Sequence, residues 1–229
     1  MGKAELRKIH VRSGSGSYIS IYANNKTYNG IEINVEIPFD KHTSLKMYNP
    51  TNSNVINGRL YIEKLDLRGL DVTSFFAMQG SISDFWCSGN RVPAPYGLKN
   101  IILEDGMDLS SFFLGCDDLH IIDLTSWAYK DVVMSQMFYN TDFGATITLP
   151  NLLPRVGFNH GAVFQRYSSS GDYISQRLID ISGWNLEHAQ GIYWQDCTYR
   201  TTYKCKQEVA DYILANSYSQ NPPTFEIVG

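Results

Sequence analysis

The sequence predicts a β-rich α/β solenoid, in which short parallel strands stack on one another between an N-terminal β segment and a C-terminal helix cap. Three observations carry that prediction. A six-residue pattern occurs three times, an aromatic cluster follows each copy, and the stretches on either side lack the pattern.

Leu65-Asp66-Leu67-Arg68-Gly69-Leu70 aligns with Ile122-Asp123-Leu124-Thr125-Ser126-Trp127 and with Ile179-Asp180-Ile181-Ser182-Gly183-Trp184. The aromatic clusters that follow are Phe75-Phe76, Met137-Phe138-Tyr139 and Tyr193-Trp194. Two weaker copies fit between them: Ile101-Ile102-Leu103 before Phe112-Phe113, and Ile147-Thr148-Leu149 before Val163-Phe164. The central positions 67, 103, 124, 149 and 181 are therefore 36, 21, 25 and 32 residues apart, the uneven period of repeats with insertions. One such unit cannot bury its own apolar face. Stacking places the Leu/Ile positions side by side in a parallel sheet and the aromatics in a second stripe across the core. Strands buried on both faces also account for an unbroken triplet such as Ile101-Ile102-Leu103.

The flanks read differently. Residues 1–57 form a β-rich segment. Ile9 and Val11 alternate with His10 and Arg12, a Ser/Gly turn follows, and Tyr18 to Tyr22 reads as a second strand. Asn24-Asn25 and Asn29-Gly30 are turn signals. Ile31, Ile33, Val35 and Ile37 alternate with polar residues up to Pro38, which marks a strand with one wet face. Residues 39–57, rich in Asn, Thr, Ser and Pro, read as a long loop. The repeats occupy 58–200. Residues 201–229 read as a cap: a helix over Lys204 to Ala215 with Val209, Tyr212, Ile213 and Asn216 at helical spacing, then a strand from Thr224 to Val228. A cap of this kind covers the apolar end of a stack.

The hexads and their trailing aromatics resemble the BspA-like leucine-rich repeat family of bacterial surface proteins. The best match is Leu119, Ile122-Asp123-Leu124-Thr125-Ser126-Trp127, Val132, Met134 and Met137-Phe138-Tyr139-Asn140; Leu178 to Trp184 is the next. The resemblance spans roughly 58–200. It implies a leucine-rich-repeat-like solenoid with roles in adhesion or protein binding, and it transfers no catalytic residues. Three departures stand out: uneven repeats, a non-repeat β segment in front, and no apolar run after the basic residues of Met1 to Arg12. Together they point to a phage virion component making protein–protein or host-surface contacts. A secreted bacterial adhesin is the alternative.

Composition narrows the function classes. Charged residues are 18% of the 229, while 15 tyrosines bring aromatics to 13%. That balance fits a contact surface, where Tyr gives area at low entropic cost, and it equally fits a strand-rich fold. The net charge of −4 comes with no basic stripe, which argues against nucleic acid as a partner. No apolar run approaches the roughly 18–20 residues of a membrane span, so no membrane insertion is expected. The expected partners are proteins of an assembly, further copies of this chain among them, and a host-surface protein or glycan.

Site chemistry gives little support to an enzyme. The Arg12-Ser13-Gly14-Ser15-Gly16-Ser17 stretch lacks the third glycine of a dinucleotide fingerprint and the Lys-Ser/Thr of a phosphate loop. His10, His42, His120, His160 and His188 are scattered, with no pair at metal-ligand spacing, so neither metal nor cofactor is expected. Cys87, Cys116, Cys197 and Cys205 include no C-x-x-C pair and read as free thiols, with Cys197 and Cys205 bridging only if the fold joins them. A glycan-cleaving hydrolase needs two placed carboxylates, and Glu104, Asp105, Asp108, Asp117 and Asp118 cluster around one repeat. The Asp of each hexad recurs in place, however, which favours a structural task such as accepting turn amides. The candidate binding residues are aromatics between repeats: Trp86, Tyr96, Tyr129, Tyr139 and Tyr167. Core packing is the competing reading of each.

Overall fold

The computed structural model describes the backbone of strands within 6–66 and complete residues at 67–69, 72–73, 98–114, 121–127, 130–139, 141, 146–165, 176–195, 200–217 and 222–229. Among the described residues the fold is β-rich, with four open sheets, mostly parallel strand pairs and two short α-helices.

The N-terminal part is antiparallel. Strand β1 (Leu6–Ser13) pairs with β4 (Glu32–Pro38), setting Ile9 opposite Val35, Val11 opposite Ile33, and Lys8 opposite Glu36. Strand β2 (Ile19–Ala23) pairs with β3 (Lys26–Gly30) from Ala23 and Lys26 outward, leaving Asn24-Asn25 as the link. The long loop expected at 39–57 is interrupted: β5 (Leu45–Tyr48) pairs with β2. Leu-Lys-Met-Tyr is short and flanked by turn formers, yet pairing to an existing strand satisfies its backbone. On the other edge of β1 lies β6 (Leu60–Asp66), which runs from position 60 into the first hexad.

From β6 onward the pairing becomes parallel. Strand β6 pairs with β7 (Ile101–Ile102). Strands β8 (Ile121–Asp123), β10 (Thr146–Thr148), β12 (Arg177–Asp180), β13 (Thr201–Lys206) and β14 (Thr224–Val228) form one five-stranded sheet in the order 8-10-12-13-14. Its register aligns Ile122, Ile147, Ile179, Tyr203 and Phe225. The first four are fully buried, and Phe225 packs against the same core. Two residues further along, Leu124 N–H donates to Thr148 O, Leu149 N–H to Asp180 O and Ile181 N–H to Lys204 O, while Leu67 N–H donates to Ile102 O in the same way. Leu67, Leu103, Leu124, Leu149 and Ile181 all belong to one core cluster. Each fully buried aliphatic chain contributes about 1.5–3 kcal/mol, so the aligned rows supply much of what holds neighbours together.

The hexads close each strand in a common way. Trp127 N–H donates to Leu124 O, Leu152 N–H to Leu149 O and Trp184 N–H to Ile181 O, each a three-residue turn. The recurring aspartate accepts the amide two residues on: Thr125 N–H at 3.0 Å on Asp123 and Ser182 N–H at 3.0 Å on Asp180. The structural task expected for these carboxylates therefore holds at both. The hexad tryptophans reach back one unit, with Trp127 Nε1 donating to Leu98 O and Trp184 Nε1 to Leu152 O, both at 2.9 Å. An indole there fills core volume and satisfies a buried carbonyl together.

Past the turn a second row begins, with β9 (Lys130–Val132) paired in parallel to β11 (Leu152–Pro154). Between β7 and β8, the units of Leu103 and Leu124 join instead through Gly106 N–H to Asp131 O, Leu109 N–H to Val133 O and Phe113 N–H to Met137 O. The aromatics then form a stripe. Phe113 stacks on Phe138 at 5.4 Å and 11°, Phe138 on Phe164 at 5.8 Å and 6°, and Phe164 on Trp194 at 6.1 Å and 27°.

Two helices pack beside β11, β13 and β14. Helix α1 (Leu186–Gln190) starts at a capping box made by Asn185 and His188. Helix α2 (Gln207–Asn216) buries Val209, Ala210 and Ile213 against α1, β13 and β14. It starts after the Lys204 expected from sequence because Thr201–Lys206 is a strand. The strand expected at Thr224 to Val228 is present. Cys205 is a free, fully buried thiol, and Cys197 lies outside the described residues. Burial raises the Cys205 pKa to about 11.

Candidate functional site

The described surface carries a strip where exposed aromatic and aliphatic side chains stand on adjoining turns beside a half-buried cation. It arises where the turns of two successive units run side by side. After β11, Arg155 N–H donates to Val132 O and Phe158 N–H to Arg155 O, which folds the chain into a tight turn. Gly157 occupies its left-handed position at φ +84°, a conformation that an L side chain adopts only with strain. The turn leaves Val156 at 52% and Phe158 at 45% exposure. The neighbouring unit contributes Tyr193 at 42%. His160 N–H donates to Gly191 O at 2.9 Å and Tyr193 N–H to Gly161 O at 3.1 Å, which fixes the two turns against each other.

Arg155 extends the strip. Its guanidinium carbon lies 4.9 Å from the centroid of the Phe158 ring, within cation–π range. The same side chain passes over Gly106, where a Cβ would sit 2.9 Å from Nη1. At the opposite end, the Tyr193 hydroxyl donates to the side chain of Gln195. The strip thus offers a ring for stacking and a cation beside it, with the Tyr193 hydroxyl held by Gln195.

The outer face of the five-stranded sheet is a second surface. Its register lines up Ile121, Thr146, Leu178, Thr202 and Thr224 in one row, and Asp123, Thr148, Asp180, Lys204 and Glu226 in the next. Lys204 Nζ binds Asp180 at 3.1 Å, which pairs those two charges of the second row. Ile121, at 67% exposure, is its one strongly exposed aliphatic among the described residues.

Of the expected binding aromatics, Tyr139 is half-buried and its N–H donates to Gln136 O. Trp86, Tyr96, Tyr129 and Tyr167 lie outside the described residues. The strip residues Arg155, Val156, Phe158 and Tyr193 were not singled out from sequence. The Gly157 turn was the available signal, since a tight turn ahead of an aromatic lifts that ring out of the core.

Among the described residues no three His, Cys, Asp or Glu side chains come together as a metal site, and no helix is long and apolar enough to cross a membrane. His160 and His188 both have their pKa lowered, chiefly by burial, with Asp131 opposing the shift in each. Comparison of the chain with protein-family models, with curated proteins and with solved structures finds no match in any of the three.

Proposed function

We propose that the chain is a non-enzymatic contact protein of a virion or cell-surface assembly, built as a leucine-rich-type solenoid that presents the Arg155–Phe158–Tyr193 strip to a protein or glycan partner. The observation that carries this reading is the coincidence of a repeated scaffold with exposed rings at one place on it. A single exposed aromatic on a folded protein needs no explanation; Val156, Phe158 and Tyr193 on adjoining turns with a guanidinium over one ring do. Aromatic and arginine side chains are the groups that dominate binding energy at interfaces. The solenoid reading rests on the in-register parallel strands and the aromatic stripe, the arrangement that stacked repeats would produce. Asp123 and Asp180 already accept amides of their own turns, which weakens their case as a catalytic pair.

The test measures binding of the full chain to a glycan array, to intact bacterial cells and to purified virion proteins. Saturable binding that Phe158→Ala with Tyr193→Ala weakens at least tenfold, about 1.4 kcal/mol, supports the reading. A virion-protein partner places the chain in the particle; cells or glycans alone favour the adhesin. Release of reducing sugar from a polysaccharide, with no effect of the double substitution, contradicts it.

A further inference from the structure

We propose that His160 is an acid-sensitive latch: protonation of its ring frees the 155–161 turn, and the exposed strip it carries, from the units on either side. The latch holds whatever the strip binds, because it rests only on how His160 is wired into the stack.

The imidazole is fully buried. Its Nδ1 accepts the N–H of Met134 at 3.2 Å, and its Nε2 lies 2.9 Å from the carbonyl oxygen of Arg155. A main-chain N–H can only donate and a carbonyl can only accept, so the proton belongs on Nε2 and the ring is neutral. The His160 N–H meanwhile donates to Gly191 O. One residue therefore bonds the unit before it, its own turn and the unit after it.

The ring also stands where main chain bonds to main chain elsewhere. Ser111 N–H donates to Ser135 O, Phe113 N–H to Met137 O, and Phe138 N–H to Val163 O. At Met134 the corresponding donor meets imidazole instead. The space is made for it: at Gly191 a Cβ would lie 3.1 Å from His160 Cδ2 and 2.7 Å from Phe158 O.

A second proton must go on Nδ1, where it would face the Met134 N–H. That removes the acceptor, sets two donors against each other and leaves a cation out of water, an arrangement relieved most simply by the turn moving away. Charged neighbours act in both directions. Asp131 on β9 and Asp108 favour the cation. Arg155, on the same turn, carries the like charge, and α1, which packs against β11, carries Glu187 and His188. Burial outweighs the carboxylates, and the ring's affinity for a proton falls below that of a free histidine.

The test is amide hydrogen exchange on the full chain at pH 7.5 and pH 5.0, corrected for the intrinsic rate. The expected result is at least a tenfold loss of protection at Met134, His160 and Tyr193 in acid. Leu124 and Leu149, which bond strand to strand, should keep theirs. His160→Gln, which offers an acceptor and a donor but does not titrate, should show equal protection at both pH values. Should that variant not fold, the ring nitrogen resonances of the unaltered protein decide. The Nε2-protonated form at pH 7.5, with ring protonation and loss of Met134 protection following the same curve, supports the latch. Unchanged Met134 protection in acid, an equal acid loss in His160→Gln, or a ring that titrates while Met134 stays protected would overturn it.

Discussion

Phe138→Ala probes the aromatic stripe at its centre. The ring is fully buried and stacks on both sides, against Phe113 at 5.4 Å and against Phe164 at 5.8 Å, nearly parallel to each. Burial of the side chain contributes about 2–3 kcal/mol, and each ring pair adds about 0.5–1.5 kcal/mol beyond its area. Truncation should therefore cost roughly 3–5 kcal/mol, the usual range for a buried phenylalanine. Against a total stability of about 5–15 kcal/mol, that is a large share. Phe138→Leu retains most of the buried area but neither stack, and should cost about 1–3 kcal/mol. Phe158→Ala removes a half-exposed ring and should cost under about 1 kcal/mol. Urea unfolding followed by tryptophan fluorescence, with buried Trp184 and Trp194 as reporters, gives all three values. A Phe138→Ala loss no larger than that of Phe158→Ala would refute the continuous stripe.

Other substitutions test other joints. Gly183→Ala would place a Cβ 1.6 Å from Pro150 O and 2.7 Å from its carbonyl carbon, and since backbone on both sides must move, a loss of about 3 kcal/mol is expected by the same assay. Gly157→Ala meets nothing within 4 Å and should cost only the left-handed backbone, about 1–2 kcal/mol. His188 accepts the Asn185 N–H on Nδ1 in the α1 capping box, and its pKa is lowered mainly by burial. Its contribution is thus complete above the usual value of 6.5 and is lost as pH falls through the folded value. His188→Gln should flatten that acid-side decline in the unfolding midpoint. Cys205 should resist iodoacetamide at pH 8 in the folded protein and react once urea unfolds it, as a mass shift on its peptide would record.

The hexads were legible because they combine strand, turn and core signals in six residues. Asp123 and Asp180 mark the turn, Leu124 and Ile181 the core, and Trp127 and Trp184 the link backward. Strand β13 belongs to the same sheet but does not carry the hexad pattern. Tyr203 and Cys205 stand where other units carry Ile and Leu, Lys204 stands where two of them carry Asp, and the helix formers beyond it drew the helix boundary too early. Strand β5 was hidden by its length, since four residues have no period to read. The exposed strip was illegible for another reason: Phe158 and Phe164 lie six positions apart in one unit, and only the turn at Gly157 sends the first outward while the second joins the stripe. Burial of that kind is settled by tertiary packing, which a single sequence does not display.

The stacking of successive units in register is tested most directly by the distance from position 123 to position 226, measured by pulsed electron spin resonance. Genetically encoded nitroxides suit these exposed sites and leave the native cysteines in place. The row Asp123, Thr148, Asp180, Lys204 and Glu226 spans four strand spacings, and at about 4.8 Å each the separation is about 19 Å. A narrow distribution near that distance is the predicted result. A broad one, or a maximum beyond about 30 Å, would contradict the stack.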